Sequence, residues 1–138
     1  MKKIILITLL MTCAFFAMAQ DASLNERYYQ AKVRELVYQL HITKQQQKVF
    51  EPIYRRYCEE MSSLWAERKK PISPNTSTNA ADIEKRRMEL QQRAQGIRMK
   101  YIDEFAKVLT AQQVEQFYKV ESAIQKKIKE RRDHAQNR

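Results

Sequence analysis

The feature that most constrains this chain is a five-residue segment that occurs twice, 67 positions apart. ITKQQ at residues 42–46 returns as LTAQQ at residues 109–113. In each copy the Thr hydroxyl can accept a backbone N–H at the start of a helix. The Gln three positions later can reach back to the backbone of the Thr, which completes a capping box. A Phe follows each Thr at the same offset, Phe50 and Phe117. The repeat therefore predicts one helix–corner–helix unit that is used twice.

Glycine and proline are too scarce for a protein built of sheets. The chain has one Gly and three Pro, whereas strands need frequent turn residues between them. Apolar residues at helical spacing cover most of the chain after residue 20. We predict helices at residues 24–40, 44–70, 81–109 and 111 to about 129, with a polar loop at 71–80. The fold class is therefore all-α, with four helices, of which the long second and third form an antiparallel hairpin.

The predicted core consists of the apolar side chains that share one face of each helix. They are Leu24, Tyr29, Val33, Leu36 and Leu40; Phe50, Ile53, Tyr57, Met61, Leu64 and Trp65; Ile83, Leu90, Ala94, Ile97, Tyr101, Phe105 and Val108; and Val114, Phe117, Val120, Ile124 and Ile128. Pro52 lies early in the second helix, where it predicts a kink rather than an end. The apolar surface on four thin helices exceeds what one hairpin covers, so we expect a homodimer.

Residues 1–19 are typical of a cleaved secretory signal peptide. Lys2 and Lys3 precede an apolar run at 4–16, which is too short to span a membrane comfortably, and Ala-Met-Ala at 17–19 fits a cleavage site. A lipid anchor at Cys13 is the alternative, disfavoured because Thr precedes it where a small residue is expected. We expect an exported helical domain at residues 20–130 and a charged flexible tail at 131–138.

The net charge bears on the class of partner. The chain has 26 Lys+Arg against 16 Asp+Glu, a formal charge of +10. In an exported protein we expect this positive charge to favour binding to acidic protein segments, anionic lipid headgroups or envelope polysaccharide, and not to nucleic acid. Cys58 is the one cysteine that remains after cleavage, so it is a buried thiol, a reactive thiol or an intermolecular bridge.

No set of side chains in the sequence predicts catalysis. His41 and His134 are far apart, and the near absence of glycine excludes a nucleophile elbow and a Gly-rich phosphate loop. Asp and Glu alternate with Lys and Arg at helical spacing, which is typical of solvated helix faces. His and Cys form no cluster of the kind that binds a metal. The sequence therefore favours a binding protein without a cofactor over an enzyme.

Cations follow the edge of the third helix. From Arg86 they recur every seven residues, which is about two turns, so they form a row beside the apolar stripe. A single such Arg usually lays its stem along apolar surface and keeps its head in water. Together they predict a mixed basic and apolar surface that can hold unfolded segments. The predicted client-binding residues are Arg86, Arg87, Arg93, Arg98 and Lys100.

The export signal, the helices and the paired motif resemble the Spy/CpxP family of periplasmic stress proteins, whose signature is Leu-Thr-x-x-Gln. The residues that carry the resemblance are Leu109, Thr110 and Gln113, and, with Ile for Leu, Ile42, Thr43 and Gln46. The stretch FEPIY at 50–54 resembles divergent members from Bacteroidetes-type bacteria. We expect these Thr and Gln side chains to shape the scaffold and not to bind a ligand.

The resemblance implies a thin, curved, all-helical dimer in the periplasm. It implies either the holding of unfolded envelope proteins without ATP, on a concave basic and apolar face, or signalling to a membrane stress sensor. Some relatives bind zinc through His-rich tails, which makes a metal-responsive protein a further alternative. The tail here has only His134, so we expect no bound metal.

Overall fold

The computed structural model describes residues 26–70 and 79–136. Within these residues it has four helices and no strand, which confirms the all-α prediction. Helix α1 is described from 26 to 39, α2 is Lys44–Glu67, α3 is Ala80–Ala106 and α4 is Ala111–Gln136. The predicted signal peptide with Cys13, the core position Leu24 and most of the predicted loop, residues 71–78, lie outside the described residues.

Helices α2 and α3 form the predicted antiparallel hairpin. Arg93 pairs with Glu67, and Lys100 pairs with Glu60, so residue numbers rise along one helix as they fall along the other. Helix α4 runs parallel to α2, because Phe50 contacts Phe117 and residue numbers then rise together. Both corners therefore lie at one end of the molecule, and the tip of the α2/α3 hairpin lies at the other.

The helix ends differ from the prediction at three places. Helix α2 ends at Glu67 and not at 70, and α3 ends at Ala106 and not at 109. Helix α4 continues to Gln136, so the predicted end near Lys129 is wrong. No Gly or Pro interrupts residues 130–136, and residues with good helix propensity continue a helix already formed. Helix α2 passes through Pro52 without ending.

A cluster of aromatic rings forms the centre of the core. Five of its rings are almost fully buried: Phe50, Tyr54, Tyr57, Phe105 and Phe117. The closest pair, Phe105 and Phe117, has ring centroids 4.5 Å apart and joins α3 to α4. Such pairs contribute roughly 0.5–1.5 kcal/mol beyond the burial of their area. The cluster packs α2, α3 and α4 against one another.

Several positions depart from the predicted core, among them Tyr54, Ile83 and Trp65. Tyr54 is fully buried although the pattern omitted it, because α2 contacts α1, α3 and α4 and its buried arc is wide. Ile83 is 49% exposed and Trp65 is 36% exposed, although both were predicted to be buried. They lie at the hairpin tip, beyond the aromatic cluster.

Helix α1 ends in a Schellman motif. The N–H of Ile42 donates to the carbonyl of Val37 (3.0 Å), and the N–H of His41 donates to the carbonyl of Tyr38 (3.3 Å). His41 has a φ of 52°, the left-handed conformation that this position usually gives to Gly. A non-Gly residue in this conformation costs roughly 1–2 kcal/mol. The corner therefore stores some backbone strain.

Candidate functional site

The two sequence repeats meet at the corner end of the molecule. In the first, the N–H of Gln46 donates to the Thr43 hydroxyl (3.2 Å), and the N–H of Thr43 donates to Oε1 of Gln46 (3.0 Å). The second repeats this geometry: the N–H of Gln113 donates to the Thr110 hydroxyl (3.2 Å), and the N–H of Thr110 donates to Oε1 of Gln113 (2.9 Å). A capping box is therefore present at the start of both α2 and α4.

The two motif glutamines also bind each other. Nε2 of Gln46 donates to Oε1 of Gln113 at 2.9 Å, and Nε2 of Gln113 lies 3.4 Å from Oε1 of Gln46. Each amide also crosses to the other corner: Gln46 donates to the carbonyl of Val108 (3.2 Å), and Gln113 donates to the carbonyl of Leu40 (3.0 Å). We call this reciprocal set the glutamine clasp. It joins the α1–α2 unit to the α3–α4 unit.

A groove lies at the opposite end, between the last turns of α2 and the first turns of α3. Its volume is about 540 Å³. Its lining residues are Trp65, Arg68, Lys70, Ile83, Arg86, Arg87, Leu90 and Gln91. We call it the tip groove. Apolar side chains form its walls and four cations surround them.

The cations of the tip groove are held in different ways. Arg86 donates to the carbonyl of Glu67 at 2.6 Å, so a cation lies at the negative end of the α2 dipole. Arg87 pairs with Glu84 of its own helix at 2.6 Å, and both side chains of this bridge are exposed. Arg68 pairs with no acid among the residues that the structure describes. The groove therefore keeps positive charge available to a ligand.

Other predicted client-binding residues have partners outside the groove. Arg93 donates to both carboxylate oxygens of Glu67, at 2.6 and 2.9 Å. Lys100 donates to Glu60 at 2.7 Å. These bonds lower the pKa of both carboxyls and fasten α3 to α2. The structure thus brings Arg86 and Arg87 together in the groove and places Arg93 and Lys100 along the hairpin.

A buried carboxyl group that the sequence prediction missed lies at the centre of the bundle. Glu121 is only 4% exposed, and it accepts hydrogen bonds from the hydroxyls of Tyr57 (3.1 Å) and Tyr54 (3.4 Å). Burial raises the pKa of Glu121, and the positive charges of Lys32 and Arg98 act in the opposite direction. This places Arg98, the fifth predicted client-binding residue, near the buried carboxyl. The sequence does contain a signal for this position: Glu121 lies four residues after Phe117, so the two share the buried face of α4.

The remaining titratable groups do not define a chemical site. Cys58 is half-buried, its Sγ lies 4.0 Å from Nζ of Lys32, and burial raises the pKa of its thiol. A raised pKa disfavours the reactive thiolate. Within residues 26–70 and 79–136, no group of three His, Cys, Asp or Glu residues is arranged to hold a metal ion.

Two helix pairs joined through matched capping corners define an all-helical protein whose repeated motif shapes its scaffold. The model of the LTXXQ motif family matches residues 29–121, and the chain belongs to this family. The match confirms the resemblance drawn from residues 42–46 and 109–113. Comparisons with curated proteins and with solved structures gave no match.

Family membership indicates the general class of protein. The family is helical, non-enzymatic and generally periplasmic, and membership suggests a stress-related role. In the part of the chain that the structure describes, each helix is too polar or too short to cross a membrane.

Proposed function

We propose that this protein is an exported, chaperone-like stress protein that binds unfolded or exposed protein segments without ATP or a cofactor. The observation that carries the proposal is the tip groove, where Trp65 and Leu90 lie beside Arg68, Arg86 and Arg87. Arg93 and Lys100 continue the row along α3, where they are paired with Glu67 and Glu60, and Arg98 lies on the other flank of the apolar stripe.

The physical basis is a division of roles between charge and apolar surface. Positive charge attracts acidic segments over about 8–10 Å at ordinary ionic strength. Apolar contact has no required direction, so the walls around Trp65 accept many different side chains. An open groove of this kind binds loosely, which lets a client leave and fold.

The test is the aggregation of a destabilised client, measured by light scattering with and without the purified mature protein. We expect suppression without ATP, and weaker suppression by a variant that carries Arg86→Glu and Arg87→Glu. A matched control carries Arg27→Glu and Lys119→Glu, which change the charge equally at exposed positions outside the groove. Equal suppression by both variants, or none by the native protein at excess, would contradict the proposal.

A regulatory module for a membrane stress sensor is the second candidate. The observation that favours it is that Trp65 lies in the tip groove. A single groove with one tryptophan in its wall suits the binding of one anchor residue from one partner. Pull-down from envelope extracts separates the two functions, because a sensor gives one saturable partner and a chaperone gives many weak ones.

A metal-responsive role is the remaining alternative. Among the described residues no cluster of His, Cys, Asp and Glu supports it, and calorimetry with zinc and copper tests it.

We also propose that the protein is a homodimer that pairs through the outer face of α3. Six residues recur there at alternating spacings of four and three, which is the pattern of a coiled-coil seam. They are Met88, Gln92, Gln95, Met99, Ile102 and Ala106. All six are exposed, including Met88 at 60% and Met99 at 68%.

Sedimentation velocity tests the dimer. A variant with Met99→Glu and Ile102→Glu places four like charges in a twofold seam, so we expect a monomer. The control, Gln125→Glu on the exposed face of α4, should sediment as the native protein does. A native monomer at high micromolar concentration would refute this part of the proposal.

A further inference from the structure

A second groove lies between α1 and α4. Its volume is about 260 Å³. Its lining residues are Ala31, Arg34, Glu35, Ile124, Lys127, Ile128 and Arg131. Ile124 is buried and Ile128 is half-buried, so they form an apolar floor. The charged side chains surround that floor, and we call this site the α1/α4 groove.

The cations of the α1/α4 groove have no acid partner among the described residues. Arg34, Lys127 and Arg131 take part in none of the ion pairs found there. The one carboxylate in the lining, Glu35, instead accepts a hydrogen bond from the Gln39 amide at 2.6 Å. This differs from the hairpin, where Arg93 is matched by an acid on the facing helix. Unmatched cations beside apolar surface favour a ligand that supplies carboxylates.

The repeat relates the two grooves to each other. One unit is α1–α2 and the other is α3–α4, and the glutamine clasp pairs them reciprocally. Exchanging the two units turns the α2/α3 boundary into the α4/α1 boundary. The tip groove and the α1/α4 groove therefore lie on corresponding helix boundaries, but at different heights along them. The chemistry of cations around an apolar floor is common to both.

We propose that the α1/α4 groove is a second binding site for acidic, apolar protein segments, so that one chain holds two segments at once. The inference rests on the proposed function for the class of ligand. Arg34 and Lys127 bind the carboxylates from opposite walls, and Ile124 and Ile128 contact the apolar side chains. Two sites on one chain raise the effective concentration of a second segment of the same client once the first is bound.

Isothermal titration calorimetry of the mature protein tests the proposal with a short acetylated peptide rich in Asp and Leu. The native protein should bind two peptides per chain. The variant with Arg34→Glu and Lys127→Glu should bind one, with the second site weakened at least ~10-fold, because two charge-assisted contacts are reversed. The milder pair Arg34→Gln and Lys127→Gln should weaken the same site less, and circular dichroism verifies that both variants stay helical.

The outcomes separate this proposal from the function itself. A peptide with Asn in place of Asp should lose both sites, and the Arg27→Glu, Lys119→Glu control should keep both. One peptide per chain, lost only with Arg86→Glu and Arg87→Glu, overturns the second site and leaves the proposed function standing. One peptide per chain, lost only with the α1/α4 variant, overturns the claim that one chain holds two segments and moves the client site from the tip groove to the α1/α4 groove. No binding at either groove refutes both.

Discussion

The glutamine clasp makes a quantitative prediction about coupling between two residues that are 67 positions apart. The Gln113 amide accepts hydrogen bonds from Thr110 and Gln46, and it donates to the carbonyl of Leu40. Each neutral hydrogen bond contributes about 0.5–1.5 kcal/mol net, so Gln113→Ala should cost about 2–3 kcal/mol. The same reasoning gives about 2–3 kcal/mol for Gln46→Ala. The amide pair is counted in both, so the double variant should cost about 1 kcal/mol less than the sum.

Urea denaturation followed by circular dichroism, in a full double-mutant cycle, measures this coupling. A loss of about 2 kcal/mol lowers the midpoint of thermal unfolding by about 8 °C in a domain of this size, so each single variant is well resolved. The matched controls are Gln45→Ala and Gln112→Ala, the neighbouring exposed glutamines of the same two turns. We expect each control to change stability by less than about 0.5 kcal/mol.

The reasoning fails if the two effects add. Sites without a shared partner add within about 0.3–0.5 kcal/mol, so a coupling energy in that range would mean that Gln46 and Gln113 do not contact each other in solution. A loss at Gln113 no larger than that at Gln112 would also remove the clasp as a stabilising feature.

Three further changes test other parts of the fold. Burial raises the pKa of Glu121 above its ordinary value of 4.5, so wild-type stability should fall as pH rises from 4.5 through the folded-state pKa. Glu121→Gln should remove that fall, and urea titrations at several pH values would contradict this if both proteins had the same pH profile. His41→Gly should relieve the left-handed strain and raise the free energy of unfolding by about 1 kcal/mol; a loss of stability would show that the His41 side chain matters more. Gly96→Ala, with no atom within 4 Å of the added Cβ, should stabilise α3 by about 0.5–1 kcal/mol, and an unchanged melting temperature would count against it.

The fold was largely predictable because local chemistry marks its helix starts. Thr43 and Thr110 set the starts of α2 and α4 through bonds made within one turn, and periodicity identified most of the core. The ends of the helices were less predictable. Helix α4 continues past Lys129 because charged residues of good propensity extend a helix without any apolar pattern to mark them.

The candidate sites could be predicted only in part, because they depend on which helices pack against each other. The spacing of residues along one helix does not contain that information. Arg86 and Arg93 occupy the same row of α3, yet only Arg86 lines the tip groove, because Glu67 on α2 lies opposite Arg93. Glu121 was missed because a charged residue interrupts an apolar pattern by definition. Its partner Tyr54 was missed because the buried arc of α2 depends on how many helices surround it.

The glutamine clasp has a consequence for how sequences of this family change over time. A capping box alone would let each copy of the motif vary independently, because Thr43 and Gln46 satisfy each other. The clasp removes that independence, since losing Gln46 leaves an amide of Gln113 without its partner at the centre of the other corner. Substitutions at the two positions should therefore occur together across relatives, as residues in contact co-vary. The clasp thus predicts that the two motifs change as one unit, although 67 positions separate them.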